Sequence, residues 1–154
     1  MHALLYPEST TGLILLGTGA RLRVAPRFIE LMRNGIGHPS EWVQQFVEPF
    51  FARVEPSLKE ELVSDARQVG AAVQLNDFLC CDRFDVMDRV GDIKAPTLVL
   101  SGSEDPMTPP KYGAYLASQI TGAQHVVVEG GTHYFFLEQP EPVNRAIDQF
   151  MHRL

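Results

Sequence analysis

A chain of 154 residues is the size of one domain, and 45% hydrophobic against 21% charged residues gives it material for a core, which excludes a disordered chain. Its 13 Lys and Arg against 19 Asp and Glu leave a net charge of −6, the wrong sign for a general nucleic-acid binder or for an anionic membrane surface. The apolar run near the start, Leu13 to Leu16, falls far short of the ~18 residues of a bilayer span, and no basic-then-apolar leader precedes it, so a cytoplasmic protein with no nucleic-acid or membrane partner is expected.

In chain order, His2-Ala-Leu-Leu-Tyr-Pro7 reads as the last turn of a helix running into a strand, as though the chain starts in mid-unit. Residues 12–17, 96–102 and 125–130 are continuous apolar runs that end in glycine, the pattern of strands buried on both faces of a parallel sheet. Between the first two lie about 75 residues without a strand signal, far more than a crossover helix needs, so a helical insertion is expected over residues 26–85. Pro26 and Gly35 bracket one helix carrying Phe28, Ile29, Leu31 and Met32. A second follows Ser40, with Trp42, Phe46 and Phe50 along one face. A third opens at Ser57-Leu-Lys-Glu60, which reads as a capping box, and carries Leu62, Val63, Ala66, Val69 and Val73. Neighbouring Cys80 and Cys81 make no disulfide framework or metal site and read as small buried or half-buried residues.

The second and third strands are joined by a segment with Pro109 and Pro110 at its start, Tyr112, Tyr115, Leu116 and Ile120 at helical spacing, and Gly122 as its stop, which completes a βαβ unit. A final helix opens at Pro140 and Pro142 and lays Val143, Ile147, Phe150, Met151 and Leu154 on the sheet. The chain is therefore predicted to be a single α/β domain, with residues 1–25 and 86–154 as core and 26–85 as an insertion.

Chemistry belongs at the carboxyl ends of parallel strands. Asp105 stands just past the second strand and His133 just past the third, so neighbouring loops bring a carboxylate to one imidazole nitrogen and leave the other to face a substrate or nucleophile. Glu104 and Glu129 are rival carboxylates ranked below Asp105, and Asp before Pro is also a common backbone-bonding turn. Gly17-Thr-Gly19 does not make a dinucleotide loop, because Leu22 stands where the third glycine would be.

The run from Ala95 to Pro109, then Gly130-Gly-Thr-His133 and Leu137-Glu-Gln-Pro140-Glu-Pro-Val-Asn144, resembles the carboxyl-terminal part of an α/β-hydrolase of the esterase and lactonase type. The likeness extends back through Phe84-Asp-Val-Met-Asp88 to Tyr6-Pro7 and Leu13 to Gly19. It implies that the three strands correspond to the family's sixth to eighth, that residues 26–85 form its helical cap, that Asp105 and His133 are its acid and base, and that no metal or organic cofactor is needed. It also makes Trp42, Phe46 and Phe50 candidate walls of an acyl pocket, although such an aromatic face is more often the core of the cap. The family's nucleophile stands in Gly-x-Ser-x-Gly, which occurs nowhere here: position 105, where Ser103 would need a second glycine, is Asp, and the other six serines lack the frame.

The resemblance therefore implies hydrolysis of a carboxylic ester or related acyl bond by a Ser-His-Asp mechanism in a complete enzyme, this chain by itself being inactive. The alternative is a non-catalytic truncated or split product acting as a binding or assembly module. A small acyl substrate is the expected ligand. The expected macromolecular partner is a second copy, paired through the first strand, or a complementing N-terminal half.

Overall fold

The computed structural model describes residues 1–154, which divide into two compact units: residues 1–21 with 85–154, and residues 22–84. In the first unit β1 (Leu13–Leu16), β2 (Thr97–Gly102) and β3 (Gln124–Val128) form a parallel sheet in the order β1-β2-β3. Leu13 pairs with Thr97, and Leu98 with Gln124. Every residue of β2 is buried, as its unbroken apolar run requires of a central strand. β1 and β3 lie at the edges, and β1 is half-buried along its whole length.

Alternation along β2 sends its side chains to two faces. Leu98 and Leu100 join Val128, Phe135, Val143 and Phe150 in one core beneath the helix Pro140–Met151. Val143 and Phe150 are buried there and Ile147 packs against them, but Met151 and Leu154 are 54% and 51% exposed. One residue past Phe150 the helix has turned by about 100°, so Met151 leaves the sheet-facing stripe. The opposite face of β2 carries Ser101, 1% exposed, whose Oγ lies 3.0 Å from His125 Nε2 on β3. Gly113, in the helix Pro110–Gln119, lies so close to this pair that a methyl group there would overlap both side chains.

In the second unit the helix Pro26–Gly37 is followed by a continuous helical stretch made of Pro39–Trp42, a π-helical turn over Val43–Val47, and Glu48–Phe50. Trp42 is 1% exposed and its Nε1 donates to Met32 Sδ at 3.2 Å. Phe46 is buried too, with its ring 5.9 Å from Phe28, 4.7 Å from Phe50 and 5.7 Å from Phe78. Trp42 and Phe46 thus pack in the core of the helical unit, with Phe50 half-buried beside them. The chain enters and leaves this unit side by side: Leu22 N–H donates to Phe84 O at 3.1 Å, and Val24 N–H to Asp82 Oδ1 at 3.0 Å.

The long helix Pro56–Arg83 departs from expectation at its start, middle and end. Its cap is Glu55, not Ser57: the Glu55 carboxylate accepts from Ser57 N–H at 3.1 Å and Leu58 N–H at 3.2 Å, and from the Ser57 hydroxyl. Proline at the first helical position displaces the cap one residue upstream of it, and these bonds hold the carboxyl below its ordinary range. The helical path breaks at Gly70, with φ 81° and ψ 159°, so the apolar stripe does not continue in phase to Val73, which is 49% exposed; Val69, one residue before the break, is already 51% exposed. Cys80 and Cys81 are exposed rather than buried. No helix is long and apolar enough to cross a membrane.

The Ser101–His125 pair gives the first unit a pH dependence. Burial pushes the His125 imidazole below its ordinary value of 6.5. As pH falls past about 6.5 the unfolded chain takes up a proton that the folded ring does not, so stability declines from there until the folded ring titrates. Thermal midpoints should therefore fall between pH 7 and pH 5. His125→Gln, which keeps a hydrogen-bonding group near Ser101, should flatten that part of the curve, and an unaltered slope would remove His125 from the account.

Candidate functional site

Because the three strands are parallel, the loops that leave them open at one edge of the sheet: Gly17 after β1, Asp105 after β2 and His133 after β3. His133 Nδ1 lies 2.8 Å from Asp105 Oδ2. The two residues that the sequence singles out are therefore brought together.

Asp105 is 3% exposed, and its carboxylate receives donors on both oxygens. Oδ1 accepts from Met107 N–H at 2.8 Å and Thr108 N–H at 2.9 Å; Oδ2 accepts from the Thr108 hydroxyl at 2.8 Å as well as from the imidazole. Burial by itself would raise this carboxyl, but the hydrogen bonds from His133 and Thr108 outweigh it and hold the group below its ordinary value. The turn role and the partner role of an Asp-Pro are thus filled by one side chain, because Oδ1 closes the turn while Oδ2 meets the imidazole.

His133 is aimed by its loop. Thr132 N–H donates to Glu138 Oε2 at 2.9 Å, and the Thr132 hydroxyl to Glu138 Oε1. Glu104 N–H donates to Gly131 O at 2.9 Å, which ties the loop of Asp105 to the loop of His133. The two loops meet where residue 102 has no side chain: a methyl group on Gly102 would overlap the carbonyl oxygens of Gly131 and Thr132. Gly17, with φ 50°, faces the pair from the first strand, and a Cβ there would sit 3.5 Å from His133 Nδ1 and 3.6 Å from Asp105 Oδ2. With Nδ1 directed at Asp105, Nε2 is the nitrogen left for chemistry, on a side chain 23% exposed.

The rival carboxylates lie elsewhere. Glu129 accepts from the Ser103 hydroxyl at 3.2 Å, and both Glu104 and Glu129 are exposed. The two serines at the strand ends hold other partners: Ser103 Oγ accepts from Gly130 N–H at 2.8 Å, and Ser101 is buried against His125. No three His, Cys, Asp or Glu side chains gather as a metal-ligating group.

Sequence reasoning missed Gly17, Thr108 and Glu138. Thr108 had a usable signal, since Asp followed three residues later by Thr is a turn pattern in which both side chains bond locally. Gly17 is legible as a strand-ending glycine, but nothing in the sequence places it against Asp105 and His133. Glu138, six residues after its partner Thr132, carried no sequence signal.

A model of the α/β-hydrolase family, described as TAP-like protein, matches residues 71–153. The chain is 27% identical over 159 residues to 3-oxoadipate enol-lactonase 2 of Acinetobacter baylyi, covering 98% of this chain and 58% of that protein. It is 26% identical over 152 residues to the pimeloyl-(acyl-carrier protein) methyl ester esterase of Neisseria meningitidis, covering 88% and 58%. Among solved structures, a thermophilic esterase superposes with a TM-score of 0.80 at 30% identity, over 98% of this chain and 60% of that one. The chain thus spans about three fifths of the length of the relatives it matches.

Two glycine substitutions test how the loops are held. Gly102→Ala drives a methyl group into backbone that cannot rotate away, and should cost about 1–3 kcal/mol, the range for overpacking, while separating His133 from Asp105. Gly17→Ala should cost about 1–2 kcal/mol for its left-handed backbone alone. Denaturant melts of both variants, with the His133–Asp105 distance measured in the better-folded one, provide the check; wild-type stability in both would contradict this packing.

Proposed function

This chain belongs to the α/β-hydrolase family, and on that premise we propose that it carries the base and the acid of a hydrolase acting on a carboxylic ester or lactone. The observation that carries the proposal is the 2.8 Å contact between His133 Nδ1 and a buried, fully bonded Asp105. In this reading His133 Nε2 takes the proton of a serine hydroxyl as that oxygen attacks the acyl carbon, then gives it to the departing alcohol. Water repeats the sequence on the acyl-enzyme and releases the acid. Asp105 keeps its proton off throughout, fixes the tautomer and stabilises the imidazolium.

The serine and the oxyanion donors are proposed to come from the part of the relatives' length that this chain does not match, since no Gly-x-Ser-x-Gly stands in residues 1–154. The helical unit, residues 22–84, is read as the cap of the fold. The lactonase and esterase names of the relatives support the acyl substrate class, and no single substrate is proposed.

A second reading, a binding or assembly module, is favoured by β1. That apolar strand bonds only β2, and an open apolar edge invites another strand, from a second copy or from a complementing segment.

Activity separates the two readings. With the chain alone, short p-nitrophenyl esters should be cleaved no faster than by a denatured control. Supplied with a segment bearing a Gly-x-Ser-x-Gly turn, the assembly should turn over, and His133→Ala or Asp105→Asn should reduce kcat by roughly 10²- to 10⁴-fold without unfolding it. Turnover indifferent to His133 would favour the module.

A further inference from the structure

We propose that Thr108 is a positioning residue that sets the strength of the hydrogen bond between His133 and Asp105. The inference rests on the reading of His133 as the base. Thr108 is 7% exposed, so water does not compete for its hydroxyl. That hydroxyl lies 2.8 Å from Asp105 Oδ2, the same oxygen that receives the imidazole, and 3.4 Å from His133 Nδ1. With Nδ1 carrying its hydrogen toward Asp105, the only productive orientation of the Thr108 hydroxyl is as a second donor to Oδ2.

Two consequences follow from two donors on one oxygen. Both donors draw on the same charge of one oxygen, so each charge-assisted bond is weaker than it would be alone. The carboxylate is also held at both ends of one turn, with Oδ1 taken by the backbone N–H groups of Met107 and Thr108, and Oδ2 by the side chain of Thr108. One residue therefore supplies a donor to each oxygen, and Asp105 cannot rotate toward the imidazole or away from it without breaking a bond to Thr108.

The experiment follows the His133 Nδ1–H proton by NMR in the 154-residue chain, alongside a thermal melt, in Thr108→Val, Thr108→Ala and Thr108→Ser. Removing the hydroxyl makes the imidazole the sole donor to Oδ2. In Thr108→Val the resonance should then move downfield, and in Thr108→Ser it should return to its wild-type position. Thr108→Ala, which adds no bulk, serves the same purpose as Thr108→Val should the latter fail to fold. A role confined to packing would lower the melting temperature and leave the resonance where it was. An unmoved or upfield resonance in a folded hydroxyl-less variant therefore overturns the proposal. Asp105→Asn separates this failure from failure of the pair itself: a wild-type resonance that does not respond to Asp105→Asn would show that His133 is not bonded to Asp105, which removes both the positioning role and the catalytic reading.

Discussion

A buried carboxylate keeps its charge only where donors replace the water it has lost. Asp105 meets that condition with four donors, two from backbone and two from side chains, and each places a demand on the rest of the first unit. The backbone donors require the tight turn from Asp105 to Thr108. The imidazole donor requires the loop after β3 to lie against the loop after β2, which a glycine at 102 permits and the bond from Glu104 N–H to Gly131 O secures. The central strand β2 is buried on both faces so that its carboxyl end, and Asp105 with it, has a fixed place beside β3.

The same unit holds a second pairing of histidine with an oxygen, and the contrast explains what makes the first one chemical. His125 meets the hydroxyl of Ser101 on the face of the sheet that carries the helix Pro110–Gln119, where burial favours the neutral ring and no carboxylate is bonded to it. His133 meets a carboxylate at the strand ends, with part of its side chain reaching solvent. A part-buried ring that meets a hydroxyl, with its proton affinity lowered by burial, is a packing element. A ring backed by an ionised, buried acid, with its second nitrogen directed away from that acid, can accept and return a proton.

Much of the first unit was legible in the sequence because its strands are continuous apolar runs, and their shortness and closing glycines separate them from buried helix segments. The positions of Asp105 and His133 relative to those strands then brought the two loops together. The helical unit was less legible. Glu55 caps its long helix because Pro56 occupies the first helical position, whereas the sequence drew attention to Ser57; Gly70 resets the helical phase, so a stripe counted on to Val73 runs into solvent. Trp42 and Phe46 share the spacing of a pocket wall and of a core, and periodicity cannot separate the two; burial assigns them to the core of that unit. Thr132 and Glu138 meet through the fold of a loop, and no local pattern announces such a contact.

Through its 2.8 Å contact with Nδ1, Asp105 selects which nitrogen of His133 carries the proton. The ¹⁵N chemical shifts of the His133 ring, recorded at alkaline pH, report this directly. The expected result is a protonated Nδ1 and an unprotonated Nε2, a preference that weakens in Asp105→Asn. A neutral ring with its proton on Nε2 would contradict it, since such a ring has no hydrogen on Nδ1 to give Asp105 and no lone pair on Nε2 to take a nucleophile's proton.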